Sequence, residues 1–343
     1  MKKLYIMLAV LALVSCKQRV YLTVHEPAPV FIEKDYLKVG VVNRSFAASS
    51  SQVIDILENA LTLEGNLDRE GSTQAVLGMF DELSATQRFV KTTLLDSMTV
   101  ENGGVDAFPA AIPWQEVDVL CQKADVQLLF VLETFDTDSK INYSTQKVEK
   151  VTPLGTIPLL QHTAEVTTII KTGWRIYDPL NKIIRDEQVL FDQVVLRGTG
   201  ITPAKALATI LNRTQAIKQI SHDLGRSYAG RISPQSFRVW RSYFNKGSRN
   251  LKMAKRRSEV GDWEGASKLW LEDTKAAKRK VAGRATYNMA IWEEINGDVY
   301  KAYEWAKKAY SDYNIKEAMN YANILRNRID RIERDQALKA QDQ

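Results

Sequence analysis

The chain has 343 residues, 45% of them hydrophobic and 26% charged, which fits globular protein of up to two domains and excludes a low-complexity or largely disordered chain. Two cysteines exclude a disulfide framework. The formal charge of +6 is uneven: residues 241–285 carry thirteen Lys/Arg against five Asp/Glu, so the basic surplus belongs to one segment and reads as solvated helix faces.

The N-terminus opens with Lys2 and Lys3, followed by the apolar run LYIMLAVLALV and then Ser15-Cys16. A basic start, a short apolar core and a small residue before a cut describe an export signal. Leu4 to Ser15 would span roughly 18 Å as a helix, short of the ~30 Å hydrocarbon core, so the run is a poor membrane span. Leu13-Val14-Ser15-Cys16 resembles the lipobox of bacterial lipoproteins, which implies cleavage of residues 1–15 and lipidation at Cys16. Lys17 stands where an aspartate would retain such a protein at the inner membrane. The expected location is therefore the cell envelope, lipid-anchored to the outer membrane and facing the periplasm. Nucleic acid is not an expected partner there, and the membrane is engaged through the N-terminal lipid.

Residues 16–35 contain two prolines in VHEPAPVFIEKD and read as a lipidated tether. YLKVGVVNRS predicts a strand ending at Asn43. Ser72 reads as the N-cap of a helix carrying Val76, Met79, Phe80 and Leu83 at helical spacing. QRFVKTTLL predicts a second strand. Pro113 opens a helix that places Val117 and Cys121 on one face and makes Cys121 a buried, inert thiol. VQLLFVLETF, nearly all apolar, predicts a strand buried on both faces. Alternating strands and helices predict a layered α/β or α+β domain over 36–232.

Residues 140–162 are polar with two prolines and read as a protruding loop or short β insertion. Two long β-rich runs then flank Asp178-Pro179-Leu180-Asn181, predicting an antiparallel hairpin. Thr202 and Pro203 predict the cap and first turn of a helix with Leu207, Ile210, Leu211, Ile217 and Leu224 on one stripe. From Arg238 onward strands are expected to stop, giving an all-α domain over 233–343.

That domain contains a repeat. EVGDWEGASKLW and EINGDVYKAYEW align with a shift near 36 residues, pairing Gly261 with Gly297, Asp262 with Asp298 and Ala266 with Ala302. Each unit reads as helix, Gly-Asp turn, helix, with small residues (Ala254, Ala290, Ala266, Ala302) where paired helices must approach closely. The pattern resembles the tetratricopeptide repeat, although Asp273 stands at a usually small position and the terminal proline is missing. Two units and one further helix fall short of the roughly three that stack stably alone. The resemblance implies a concave groove lined by Leu251, Lys255, Ser258, Arg284, Tyr287 and Ile291, suited to a partner protein. Tyr287 with Arg284 and Lys255 suits an acidic or aromatic ligand. Trp270 and Trp305 read as helix-pair core.

No catalytic constellation emerges, and no enzyme, metal or cofactor is expected. Gly198 and Gly200 imitate a dinucleotide fingerprint, but Pro203 replaces its third glycine. Glu133, Asp136 and Asp138 follow a buried strand without a complete calcium-loop pattern.

Taken together, the lipobox, YLKVGVVNRS, RISPQSFRVWRSYF and the terminal repeats resemble an uncharacterised Gram-negative lipoprotein family known as a domain of unknown function. KVGVVNRS, ADVQLLFVLETF and RIYDPLNKIIRDE more distantly resemble the N-terminal domain of the TolB translocation protein and the curli-secretion lipoprotein fold. The resemblance implies an envelope scaffold whose partner, an envelope protein, sits in the repeat groove. The alternative is an envelope glycan- or small-ligand-binding protein, or an enzyme, with its site around Glu133 to Asp138.

Overall fold

The computed structural model describes residues 17–47, 58–96, 99–100, 108–152, 155–210 and 212–341. The expected leader and Cys16 lie outside the described residues. Contacts divide the chain into two units: one comprises Ile32–Ser233, and the other joins the segment ending at Phe31 to the segment beginning at Pro234. The first described strand, β1 (Lys17–Glu26), belongs to the second unit.

The Ile32–Ser233 unit is built on a five-stranded sheet. β2 (Lys38–Asn43) is flanked in parallel by β4 (Lys91–Leu94) and β6 (Leu128–Thr152), while β7 (Gly155–Asp178) and β8 (Ile183–Gly200) continue the sheet antiparallel in the order β4-β2-β6-β7-β8. A minimal second pair joins β3 (Phe46–Ala47) to β5 (Thr99–Val100). The apolar run in β6 is needed because both sheet faces are covered. Leu129 and Val131 pack with Val117 and Cys121 of α2 (Trp114–Ala124), while α1 (Glu58–Ala85) packs on β2, β4 and β6. Alternation sends Leu128, Phe130 and Leu132, all fully buried, to the opposite face from Leu129.

Two expectations are corrected here, and a third resolves to one of its alternatives. Ser72 is no helix start: α1 begins at Glu58, and Ser72 lies inside it with its hydroxyl donating to the Arg69 carbonyl at 3.1 Å. Serine can satisfy itself on the preceding turn as readily as cap a new one. Of the two readings of the polar stretch 140–162, the β insertion holds and the loop does not, because β6 and β7 pair out to Thr152 opposite Gly155. Its Thr, Tyr, Val and Ile content suits a solvated ladder that needs no apolar face. The helix at Thr202 is short, α3 (Pro203–Ala208), and Asn212 restarts the chain in left-handed geometry (φ 62°) before α4 (Arg213–Ala229). A side chain at Gly198 would meet the Ala206 carbonyl oxygen at 2.1 Å, so the glycine there admits α3 against β8.

The β7–β8 hairpin turns where expected. The Asp178 carboxylate accepts from the backbone N–H groups of Leu180 (3.0 Å) and Asn181 (3.1 Å), from Tyr36 Oη (2.8 Å) and from Arg185 Nε (2.7 Å). One buried carboxylate thus fastens the turn to the segment that enters the sheet.

Among its described residues the second unit holds five helices: α5 (Arg249–Glu259), α6 (Trp263–Asp273), α7 (Arg279–Ile295), α8 (Val299–Ser311) and α9 (Lys316–Gln341). The Gly-Asp turns form as read. Gly261 and Gly297 sit at φ 84° and 88°, and Asp262 and Asp298 cap α6 and α8 by accepting from Gly265 N (2.8 Å) and Lys301 N (2.9 Å). Ala254, Ala266, Ala290 and Ala302 are fully buried between helices. Asp273 takes its unusual place because it accepts from the hydroxyl of Ser248, itself the N-cap of α5.

Strands do not stop at Arg238. β9 (Gln235–Phe244) pairs antiparallel with β1 from Lys17 opposite Phe244 to Glu26 opposite Gln235. The segment read as a free tether is therefore, over Lys17–Glu26, one arm of a ribbon in the helical unit. Its alternation places Leu22 and Val24 inward and Arg19, Tyr21 and Thr23 outward.

Candidate functional site

The expected groove lies along α5 and α7, and its six predicted positions divide into two groups. Leu251 and Ile291 are fully buried, and Ser258 and Tyr287 are nearly so. Only Lys255 and Arg284 reach solvent in part, and both are engaged. Lys255 pairs with Glu259 one turn on at 3.3 Å, and Arg284 donates to the Lys246 carbonyl while its guanidinium lies 5.2 Å over the Phe244 ring. The groove-lining assignment is thus corrected, since most of these side chains are packed against other parts of the same chain.

What packs against them is the end of β9 and the residues just after it. Tyr243 and Ser258 share a hydroxyl hydrogen bond at 2.7 Å, and the Phe244 ring meets Tyr287 edge-on at 5.4 Å. Asn288 reads the strand's backbone directly, accepting from Phe244 N and donating to Phe244 O, each at 2.7 Å. A side-chain amide gripping both groups of one residue is how an extended segment is bound without regard to its side chains.

Next to it lies Glu294 with its side chain 1% exposed. Arg241 of β9 binds it bidentately through Nε (2.8 Å) and Nη2 (2.9 Å), while Arg328 Nη1 and Tyr321 Oη of α9 each donate at 2.6 Å. Arg241 therefore ties the ribbon to α7, and Arg328 and Tyr321 tie α7 to α9. Burial, reinforced by the Glu294 charge, pushes the Tyr321 hydroxyl well above its ordinary pKa, and burial pushes Tyr287 up to about 12. These phenols stay neutral hydrogen-bonding groups. Trp270 is fully buried beside Tyr243, and Trp305 packs partly buried on the same core, as the sequence indicates.

In the other unit the acidic stretch after the buried strand does not form a shared site. The register shifts between Leu132 and Thr134, and this bulge turns Glu133 inward. There it accepts from Arg44 Nη1 (2.7 Å) and from Tyr177, with Arg175 at 3.6 Å. Ile112 N donates to the Tyr177 hydroxyl at 3.1 Å, and Arg175 donates to the Pro109 carbonyl at 2.7 Å. Glu133 is neutralised on every side, while Asp138 lies on the solvated part of β6. Among the described residues, no group of three or more His, Cys, Asp or Glu side chains is placed to hold a metal ion. An open cleft of about 620 Å³ beside Tyr36, Cys121 and Leu180 carries two acids, both paired: Asp118 with Lys182, and Asp125 with Lys38 and Lys91. Cys121, at its floor, is pushed up to about 12 by burial and by the nearby Asp118 charge, so it is a thiol rather than a nucleophile.

Residues 36–244, most of the chain, match the family described as domain of unknown function DUF8603. The chain belongs to that family. Residues 252–327, the helical hairpins, match a second domain of unknown function, DUF6340. The DUF8603 match runs through β9 to Phe244, so it includes the strand that the helical groove holds. No curated protein matches. Among solved structures, a PelC dodecamer from Paraburkholderia phytofirmans is 8% identical with a TM-score of 0.26, over 63% of this chain and 98% of that one. A Helicobacter pylori protein described as a homologue of a neuraminyllactose-binding hemagglutinin is 10% identical with a TM-score of 0.23, over 59% and 94%. At those scores neither likeness carries an argument about fold or function.

Proposed function

We propose that this DUF8603 protein is a lipid-anchored component of the bacterial cell envelope, held at the periplasmic face of the outer membrane, whose helical unit is a non-catalytic scaffold for another envelope protein. The leader and Cys16 support the anchor, and the two Gly-Asp helical hairpins, with their likeness to the tetratricopeptide repeat, support the scaffold. The observation that carries the reading is the grip of Asn288 on both backbone groups of Phe244, because it is recognition of an extended segment by a helix of the second hairpin. In this chain the segment is its own β9. The envelope partner is then met on the outer surfaces of the hairpins, where Tyr300, Tyr310, Met319 and Ile324 are exposed, rather than in the groove.

The test places photo-crosslinking residues at Tyr300 and Met319 of the full-length protein in its native envelope, beside a Cys16→Ser version. The expected result is one stoichiometric envelope protein crosslinked from the hairpin surface and release of the Cys16→Ser protein from the membrane fraction. Crosslinks no stronger than from an exposed position of the other unit such as Val195 would reject the scaffold role. Retention of Cys16→Ser at the membrane would reject the lipid anchor.

A further inference from the structure

The outward face of the β1–β9 ribbon is not explained by packing in the helical unit. Tyr21 and Trp240 stand directly opposite each other across the two strands and are 59% and 57% exposed. Each ring is covered diagonally by an arginine: Arg19 lies 5.2 Å from the Trp240 ring centre and Arg238 5.1 Å from that of Tyr21. Both arginines are exposed, and neither has a carboxylate partner among the described residues. Single exposed aromatics are ordinary, but two in contact register, each capped by an unpaired cation, form a patch of one chemistry.

Its place in the chain decides what that chemistry meets. β1 begins at Lys17, the residue after Cys16. Arg19 is three residues and Tyr21 five residues past Cys16, which limits their reach from it to about 10 Å and about 17 Å. A strand rooted so close to a lipidated cysteine cannot leave the bilayer surface by more than its own length. Trp and Tyr partition to the headgroup level, with the apolar ring body inward and the polar edge in water. Arginines beside them find phosphate oxygens where the described residues offer them no carboxylate.

We infer that this face is a membrane-docking surface for anionic phospholipid headgroups, with Tyr21 and Trp240 seated at the interface and Arg19 and Arg238 on the phosphates. The inference rests on the lipid-anchor reading above. It adds that the anchor is not a loose tether: the acyl chains and the ribbon together fix the orientation of the helical unit on the bilayer. An anionic surface attracts each arginine enough that removing both shifts the docked-to-undocked ratio roughly 30-fold.

The full-length protein, processed and lipidated in its host and purified in detergent, is reconstituted into vesicles of phosphatidylethanolamine and phosphatidylglycerol with brominated acyl chains. The emission of Trp240 is obtained as the difference between the natural protein and Trp240→Phe. That component is expected to be quenched by the brominated chains. Arg19→Gln with Arg238→Gln is expected to relieve the quenching, with the docked-to-undocked ratio falling roughly 30-fold and the melting temperature unchanged. Protein that floats with the vesicles while Trp240 is quenched by aqueous iodide instead overturns the docking face and leaves the anchor standing. Protein that does not float overturns the anchor, and the docking face with it. Protection of Trp240 only after soluble envelope proteins are added overturns it in favour of a protein partner.

Discussion

Glu294 is the test of whether the groove is closed from within. Glu294→Gln keeps the side chain's shape and removes its charge, leaving the guanidinium groups of Arg241 and Arg328, 13% and 10% exposed, facing an amide that itself donates. Breaking one partner out of a buried ion cluster costs about 3–5 kcal/mol, because the remaining charges stay desolvated, and Arg328 keeps only Glu26 at 3.9 Å as a counter-charge. With a urea slope of about 2 kcal/mol per molar, the helical unit's unfolding midpoint falls by roughly 2 M. Five of the seven tryptophans lie between Trp240 and Trp305, so intrinsic fluorescence reports this unit in particular. The neighbouring Glu293 is the control: burial raises its carboxyl pKa, and it makes no ion pair among the described residues. Glu293→Gln should therefore shift the midpoint little, and toward stability. Replacing Glu294, Arg241 and Arg328 together by methionine removes charge and counter-charges alike and should recover most of the loss. A Glu294→Gln loss below about 1 kcal/mol, or no larger than that of Glu293→Gln, refutes the closure of the groove by this cluster.

Tyr287→Ala, which a free groove would tolerate, should instead lower stability by about 3–5 kcal/mol in urea unfolding, because it empties the space between Phe244 and Tyr321. Asn288→Ala should cost about 2–4 kcal/mol by leaving Phe244 N and O buried without partners. In the α/β unit the Asp178 carboxyl is held below its usual range: burial opposes this, but hydrogen bonds from Asn181, Tyr36 and Arg185 outweigh it. The folded pKa is thus below the unfolded value of about 3.9. Its contribution is complete well above that value and is lost as pH falls through the folded one. Asp178→Asn should lower the melting temperature at pH 7 and flatten its decline below about pH 4. Cys121 should resist iodoacetamide at pH 8 in the folded protein and react fully in denaturant.

Periodic signals reached the structure intact. The Gly-Asp turns, the small residues between helices and the all-apolar β6 each follow from a local constraint, whether a positive φ, a close helix contact or burial on two faces. The ribbon did not. Lys17–Glu26 and Gln235–Phe244 lie more than two hundred residues apart, and neither declares its partner, because a half-exposed strand with arginines on its outer face looks like a tether or a loop. Polar residues misled for a related reason. Ser72 satisfies itself within a helix, and residues 140–162 pair through their backbone without an apolar face, which left a loop and a β insertion equally open in the sequence.

The groove residues show the limit of carrying a repeat's binding surface onto a new chain. Position alone put Leu251, Ser258, Tyr287 and Ile291 in an open groove, and they are buried. Two hairpins cannot bury their own concave side, so this one is covered by β9 and locked by Glu294. The signal for this was the basic, aromatic segment RVWRSYF, whose Arg241, Tyr243 and Phe244 supply the contacts. Covering the groove with a strand also leaves that strand's other face, and the strand paired to it, turned outward. The same ribbon that completes the helical core therefore carries Tyr21, Trp240, Arg19 and Arg238 toward solvent, so one pair of strands supplies both the buried contacts and the exposed aromatic–arginine face.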